Sequence, residues 1–282
     1  MWFGHIGKSE AEKLKTRSPL IWFGGKGKVA KKIISRMPAH KTYVEPFGGA
    51  AHVITQKSQI SHEVYNDIDG DLVNFLLVAR DLPEKLSKAC ESLPYSRQLY
   101  GKWKSEEMPE DEFERAVRFF YLNRSGIAKG NGPGSCKTGW RHSTSSNQNP
   151  AMGYQSACSL IKAFANRMKG VMIEHDDFRK IIEKYDSPQT LFYVDPPYIG
   201  REKFYAGGFT EQDHRELAGP LQNIKGKAIV SYYDDPLLLE IYPDWRRETF
   251  ESYKQVVNGD NCHAEELLLM NFKEKQMNIF DI

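Results

Sequence analysis

The 282-residue chain has no run of about 18 consecutive apolar residues, so no segment has the length of a membrane-spanning helix. Its first residues, MWFGHIGKSEAEKLK, lack the apolar stretch of a signal peptide, and the expectation is a soluble, cytoplasmic protein. Cysteine is scarce. Cys90, Cys136, Cys158 and Cys262 are widely spaced and form no C-x-x-C pair, which argues against a zinc site or a disulfide framework and for small buried hydrophobes. Internal repeats are absent, and so is a full G-x-G-x-x-G, which counts against a nucleotide-dependent oxidoreductase. Net charge is nearly absent too, with 39 Lys and Arg against 37 Asp and Glu.

That balance hides a strong segregation. Between Lys13 and Val44 stand nine basic residues and no acid, and from Arg115 to Gly170 another nine with no acid. The rest of the chain then carries 21 basic side chains against 37 acidic ones. Two such stretches on one side of a fold would offer a positive face to a polyanion, and the second is rich in Gly, Ser and Asn, unlike a solvated Lys-rich helix face.

With 40% hydrophobic residues the chain can bury a sizeable core. Thr42 to Glu45, Glu63 to Asn66, Val171 to His175 and Thr190 to Val194 read as buried strands, because β-branched and aromatic residues cluster there and end at Gly, Pro or Asp. The second precedes Asp71 to Arg80, where Leu72, Phe75, Leu76 and Ala79 recur at helical spacing. Alternating strands and helices imply a parallel, doubly wound sheet. Lys227 to Tyr232 and Ala264 to Phe272 read as two more strands, although periodicity alone also allows a helix for the latter, and Phe209 to Leu221 reads as a helix. About a hundred residues separate the second and third strands, too many for a simple connection, so a separate insertion is expected there. It contains a helix over Asp111 to Leu122, then a loop or hairpin from Asn123 to Pro150.

The strongest chemical signal is Asp195-Pro196-Pro197-Tyr198, at the end of the strand Leu191 to Val194. In an open α/β sheet the carboxyl ends of strands face the ligand crevice. Two prolines stiffen the corner, making the Asp195 carboxylate and the Pro196 carbonyl fixed acceptors, a pair suited to an NH2 group. The exocyclic amine of a base is a poor nucleophile because its lone pair is shared with the ring. Acceptors on its hydrogens pull it towards a pyramidal geometry that frees the lone pair. Tyr198 would supply a ring for an extruded base. A rigid proline-rich loop with no chemistry is the bland alternative.

Tyr43 to Ala50, YVEPFGGA, runs a strand into a glycine turn where Gly48 and Gly49 would allow close approach of a ligand. Asp67 follows Gly48 by nineteen residues, at the end of the next strand, where an acid would bind ribose hydroxyls. Trp22 to Lys28, WFGGKGK, superficially resembles a phosphate loop. It lacks the first glycine of that motif, and Val29 stands where the magnesium-binding Ser or Thr belongs. What remains is an aromatic ring and a lysine around a flexible turn, suited to an adenosyl group and a carboxylate.

In this order, W-F-G-G-K, E-P-F-G-G, N-D-I-D, F-Y-L-N-R at Phe120 to Arg124, D-P-P-Y and the late E-E-L-L-L-M-N-F resemble the Dam-like (D12 class) family of DNA adenine N6-methyltransferases. The resemblance implies an α/β fold: a Rossmann-like S-adenosylmethionine-dependent methyltransferase sheet with an inserted, mainly helical DNA-recognition domain. It implies a catalytic domain over 17–71 and 168–275, the recognition domain over 72–167, and a tail over 276–282. Asp195, Pro196, Pro197 and Tyr198 would be catalytic, methylating N6 of an adenine flipped out of double-stranded DNA. Trp22, Lys26, Glu45, Phe47, Gly48, Asp67 and Asp195 would contact S-adenosylmethionine. Arg124, Lys129, Lys137 and Arg141 are expected to contact DNA. Relatives acting on cytosine N4 typically carry Ser at the position of Asp195, and those acting on glutamine carry Asn, so the Asp favours adenine. Some ribosomal RNA adenine methylases share D-P-P-Y, but the long basic insertion favours duplex DNA. In GATC-methylating members L-N-R leads into N-G-L-C-R-Y-N, whereas here Ser125 to Gly132 reads SGIAKGNG, which leaves the target sequence open. The end of the chain, with Gln276, Ile279 and Phe280, resembles short Q-x-x-L-F peptides that dock on sliding clamps; a tail packed on its own domain is the alternative. A monomer is expected. A non-catalytic DNA-binding module would explain the charge pattern but neither D-P-P-Y nor the glycine turn.

Overall fold

A computed structural model describes residues 16–127, 139–144, 149–202, 208–253 and 263–273. At its centre is a seven-stranded sheet in the order β3-β2-β1-β4-β5-β7-β6. The strands are β1 (Thr42–Glu45), β2 (His62–Asn66), β3 (Val171–Glu174), β4 (Thr190–Val194), β5 (Lys227–Tyr232), β6 (Arg246–Tyr253) and β7 (His263–Met270). The first five are parallel, and β7 runs antiparallel to both β5 and β6. Val44 of β1 lies level with Val64 of β2 and Phe192 of β4, so the apolar runs stack at the centre of the sheet. All five residues of β4 are buried, as expected of a parallel strand covered on both faces.

Side chains alternate between the two faces of a strand, and each face builds its own cluster. Tyr43, Tyr65, Leu191, Tyr193, Ile229 and Leu268 pack on one side, against α1 (Ala30–Ile34), α2 (His52–Gln56), α3 (Gly70–Asp81), α4 (Pro83–Glu91), α5 (Arg97–Ser105), α6 (Glu112–Ser125) and α7 (Pro150–Met168). Val44, Val64, Phe192, Val194, Val230 and Leu269 face the other way, onto α8 (Phe178–Tyr185), α9 (Glu211–Asn223) and α10 (Leu237–Ile241). This is the expected doubly wound, Rossmann-like sheet. The helices between β2 and β3 share one hydrophobic cluster with the sheet, from Phe75 through Phe120 and Tyr154 to Tyr193, and residue 72 lies inside α3.

Local chemistry explains where elements start. Asp69 caps α3 by accepting from the amides of Asp71 and Leu72. Asn149 does the same for α7, followed by Pro150 at the first helical position. A capping box between Thr210 and Asp213 starts α9 at Glu211, two residues later than its apolar pattern suggests. The segment expected as a strand over Ala264 to Phe272 is the strand β7, which runs His263–Met270 and is pinned between β5 and β6. The sequence reading missed β6, because RRETFESY is dominated by charged and polar residues as an edge strand is, and missed α7, whose Asn-Pro start was a legible signal. The loop expected after Asn123 closes as a hairpin base: Ile127 donates to Gly139 O at 2.9 Å and Arg141 N to Ser125 O at 2.8 Å. Among the described residues no helix is long and apolar enough to cross a membrane.

Candidate active site

The order of connections reverses between β1 and β4, and at such a switch point the diverging loops leave a crevice beyond the carboxyl ends of the strands. A cavity of about 200 Å³ opens there. Its walls include Trp22, Lys26, Glu45, Phe47, Gly48, Asp67, Asp195 and Pro197, so motifs scattered over 175 residues of chain converge on one space. The structure thus brings together all seven residues expected to contact the cofactor, as well as one proline of D-P-P-Y.

Asn66, 1% exposed, ties the rim of this crevice together. Its amide donates to Pro46 O at 2.9 Å and Asp176 O at 3.0 Å and its carbonyl accepts from Asp176 N, joining the ends of three strands. In the glycine turn, a Cβ on Gly48 would lie 2.0 Å from the Tyr65 ring, and one on Gly49, whose φ is +48°, 2.8 Å from the Trp22 indole. The protein's own rings therefore occupy the space that the sequence suggested a ligand would use, while the backbone of both glycines lines the cavity.

The titratable groups are arranged to welcome positive charge. Burial raises Glu45 to about 8, against the hydrogen bond it accepts from Tyr43 OH at 2.7 Å. Burial and the neighbouring Asp69 raise Asp67 to about 7, although Asp67 accepts from Gly49 N at 2.8 Å and Asp69 N at 2.9 Å. Asp195 is raised to about 6, by burial first and by Glu266, while Lys26 opposes the shift. Lys26 is itself buried. Burial works against its ammonium, but Asp195 at 2.7 Å and Glu266 at 3.4 Å hold its pKa above the ordinary value. Glu45, Asp67, Asp195 and Glu266 outnumber the one buried lysine among them, and leave a site that a cationic ligand would complete.

Several contributors were not singled out from sequence. Phe178 and Phe209 join Phe47 in an aromatic trio on the cavity wall, with ring centroids 5.0 to 5.8 Å apart, able to hold a flat ring. Phe178 follows the carboxyl end of β3, so its place in the motif order was the available signal. Arg179, also in the wall, is held by Asp177, Asp213 and Glu216. His52 packs under Gly25 and Gly27, and burial followed by the Lys26 charge lowers it to about 4, so it is neutral at physiological pH.

Tyr198 does not present an open face. It is 4% exposed, its hydroxyl donates to Glu266, Lys26 Nζ lies 4.8 Å from its ring centroid, and Tyr233 meets it edge-on at 4.6 Å. Stacking a base on it requires Lys26 or Tyr233 to move. Pro196 is buried.

Of the residues expected to touch DNA, Lys129 and Lys137 lie outside the described residues, as do Gln276, Ile279 and Phe280 of the tail. Arg124 and Arg141 meet at the hairpin base. Arg124 donates to Gly153 O at 3.1 Å and Arg141 to Gly126 O at 3.1 Å, and Arg124 Nε is buried with no hydrogen-bond partner among the described residues. Burial, then the Arg141 charge, lowers the Arg124 pKa. Other members of the two acid-free stretches are neutralised from elsewhere: Arg36 by Glu248, Arg115 by Asp71, Arg118 by Glu106 and Arg167 by Glu63.

Known proteins align with this arrangement. A DNA adenine methylase of Haemophilus influenzae is 26% identical over 251 residues, covering 82% of this chain and 84% of the relative. The type II methyltransferase M.CviBI of Paramecium bursaria Chlorella virus NC1A is 24% identical over 268 residues, covering 90% and 99%. The DNA adenine methylase of Escherichia coli (strain K12) is 25% identical over 246 residues, covering 81% and 84%. The family model described as D12 class N6 adenine-specific DNA methyltransferase matches residues 22–258, a span that takes in the glycine turn, the aromatic trio and D-P-P-Y. The chain belongs to that family, and its reaction is the methylation of adenine N6 in DNA.

Proposed function

We propose that this chain is a site-specific DNA methyltransferase (adenine-specific) that binds S-adenosylmethionine in the switch-point cavity and receives a flipped adenine of double-stranded DNA at the Asp195 corner. The observation that carries the reading is the Lys26–Asp195 pair, 2.7 Å apart at the wall of that cavity. The donor set fits the cofactor. The aromatic trio suits its adenine, Asp67 retains lone pairs for ribose hydroxyls, and the raised carboxyl groups of Glu45 and Asp195 ionise more readily beside its cationic groups. When bound, S-adenosylmethionine supplies an electrophilic methyl group on a sulfonium.

The chain's own residues then act mainly by position. Asp195, raised only to about 6, is ionised at neutral pH and accepts hydrogen bonds from N6, with the Pro196 carbonyl as second acceptor. Lys26 fixes the carboxylate and is fixed in turn by Gly24 O at 2.8 Å. The helices and hairpin between β2 and β3, residues 72–167, form the DNA-recognition region. There Arg124 and Arg141, two neighbouring guanidiniums whose remaining donors face no acid among the described residues, contact phosphates or base edges together with Lys129 and Lys137. The protein acts in the cytoplasm as a monomer. Clamp docking through Gln276, Ile279 and Phe280 is tested by pull-down against a protein ending at Lys275, and equal retention removes it.

Labelled S-adenosylmethionine incubated with plasmid DNA should place its label on adenine, and Asp195→Ala should abolish transfer while leaving the fold intact by circular dichroism. Label on cytosine or on protein, or transfer by Asp195→Ala at the normal rate, would refute the reading.

A further inference from the structure

The antiparallel insertion of β7 places its amino-terminal half beside the carboxyl ends of the parallel strands. The same reversal carries Glu266 to the back of the Asp195 corner. Glu266 is 3% exposed, and burying a carboxylate so deeply is costly unless it has partners. It has two. Lys26 Nζ lies 3.4 Å from its Oε1, and Tyr198 OH donates to the same oxygen. Lys26 is therefore shared between two carboxylates, with Asp195 Oδ1 nearer at 2.7 Å. Tyr198, last residue of D-P-P-Y, is fastened to β7 rather than left on its loop.

We propose that Glu266 is a positioning residue for methyl transfer: by holding part of the Lys26 ammonium and the Tyr198 hydroxyl, it keeps the Asp195 carboxylate oriented and its oxygens free to accept from the substrate amine. Lys26 with a single counter-ion would close on Asp195 and draw electron density from the oxygens that must grip N6. With Glu266 present, the ammonium orients Asp195 without neutralising it. The inference rests on the reading that Asp195 receives the acceptor amine.

Removing the Glu266 charge has a definite sign. The charged groups around Asp195 are Lys26, Glu45 and Glu266, with the phenols of Tyr193, Tyr198, Tyr232 and Tyr233 beside them. Glu266 raises Asp195 and Lys26 lowers it, so Glu266→Gln, which keeps an oxygen for Tyr198, moves the Asp195 titration down. Tyr198→Phe moves it up, because Glu266, without its Tyr198 donor, draws more of the shared Lys26 ammonium away from Asp195.

The test uses full-length enzyme labelled with carbon-13 at aspartate carboxyls, with Asp195→Asn identifying the signal. Single-turnover methylation of plasmid DNA across pH is measured in parallel. Glu266→Gln should shift the Asp195 titration and the acid limb of the rate to lower pH, and reduce the plateau rate roughly tenfold or more with KM for DNA held. Tyr198→Phe should shift the same signal the opposite way. An Asp195 titration unmoved by Glu266→Gln, or moved in one direction by both variants, overturns the proposal, as does a loss confined to KM or melting temperature. Full activity in Asp195→Asn would instead sink the reading of the corner itself, so the two failures are distinguishable.

Discussion

Gly48→Ala tests how the turn between β1 and α2 is built. A methyl group there would sit 2.0 Å from Tyr65 Cε2 and 2.4 Å from Cδ2, far inside contact distance. Tyr65 has nowhere to go: it is 0% exposed, and its hydroxyl donates to Gly49 O at 2.5 Å. Forcing the ring aside costs roughly 1–3 kcal/mol in overpacking, and losing its hydrogen bond adds about 1 kcal/mol. At roughly 2–4 °C per kcal/mol for a chain of this size, the melting temperature should fall by on the order of 5–15 °C. Calorimetry without ligand measures it, with Gly27→Ala as the control, since a Cβ there meets nothing closer than 3.4 Å. The turn also carries Gly49 N to Asp67, so cofactor affinity by titration calorimetry should weaken with stability in Gly48→Ala and hold in the control. A Gly48→Ala protein melting within about 1 °C of the parent would show that Tyr65 does not fill the turn.

Two further perturbations probe buried charge. Glu45 is raised from 4.5 to about 8 in the folded chain, so its contribution to stability is complete below the unfolded value and is lost as pH climbs through 8. The melting-temperature difference between ligand-free parent and Glu45→Gln should therefore drift against the parent between about pH 5 and pH 8, and a flat difference would contradict the burial argument. Glu63 is 0% exposed and holds Lys57 at 2.5 Å and Arg167 at 2.6 Å. Glu63→Ala should cost about 3–5 kcal/mol in urea unfolding by leaving two cations without their counter-ion, whereas a loss below about 1 kcal/mol would mean that water reaches them.

Much of the site was legible because its chemistry is local. The Asp195 corner, the acid at the end of β2 and the glycine turn each announce themselves within a few residues. So does the parallel sheet, whose central strand β4 carries the apolar run Leu191 to Val194. Glu266 was not legible as a site residue although E-E-L-L-L-M-N-F was noticed, since nothing in that string says which of its two acids turns inward. His52, Phe178 and Phe209 were hidden for the same reason, being ordinary residues made functional by what they face. The edge strand β6 escaped because a strand that satisfies water on its outer side need not look hydrophobic.

By itself the sequence determined the kind of chemistry, the order of the five parallel strands along the chain and the family, because residue types at short spacing fix backbone options and donor sets. Tertiary structure alone decided which charges meet. Acid-free stretches of chain are not acid-free in space once Asp71, Glu106 and Glu63 reach across to Arg115, Arg118 and Arg167, leaving Arg124 and Arg141 as neighbouring cations. Electrostatic energy depends on distance through the fold rather than along the chain, so no one-dimensional pattern could give the balance around Lys26.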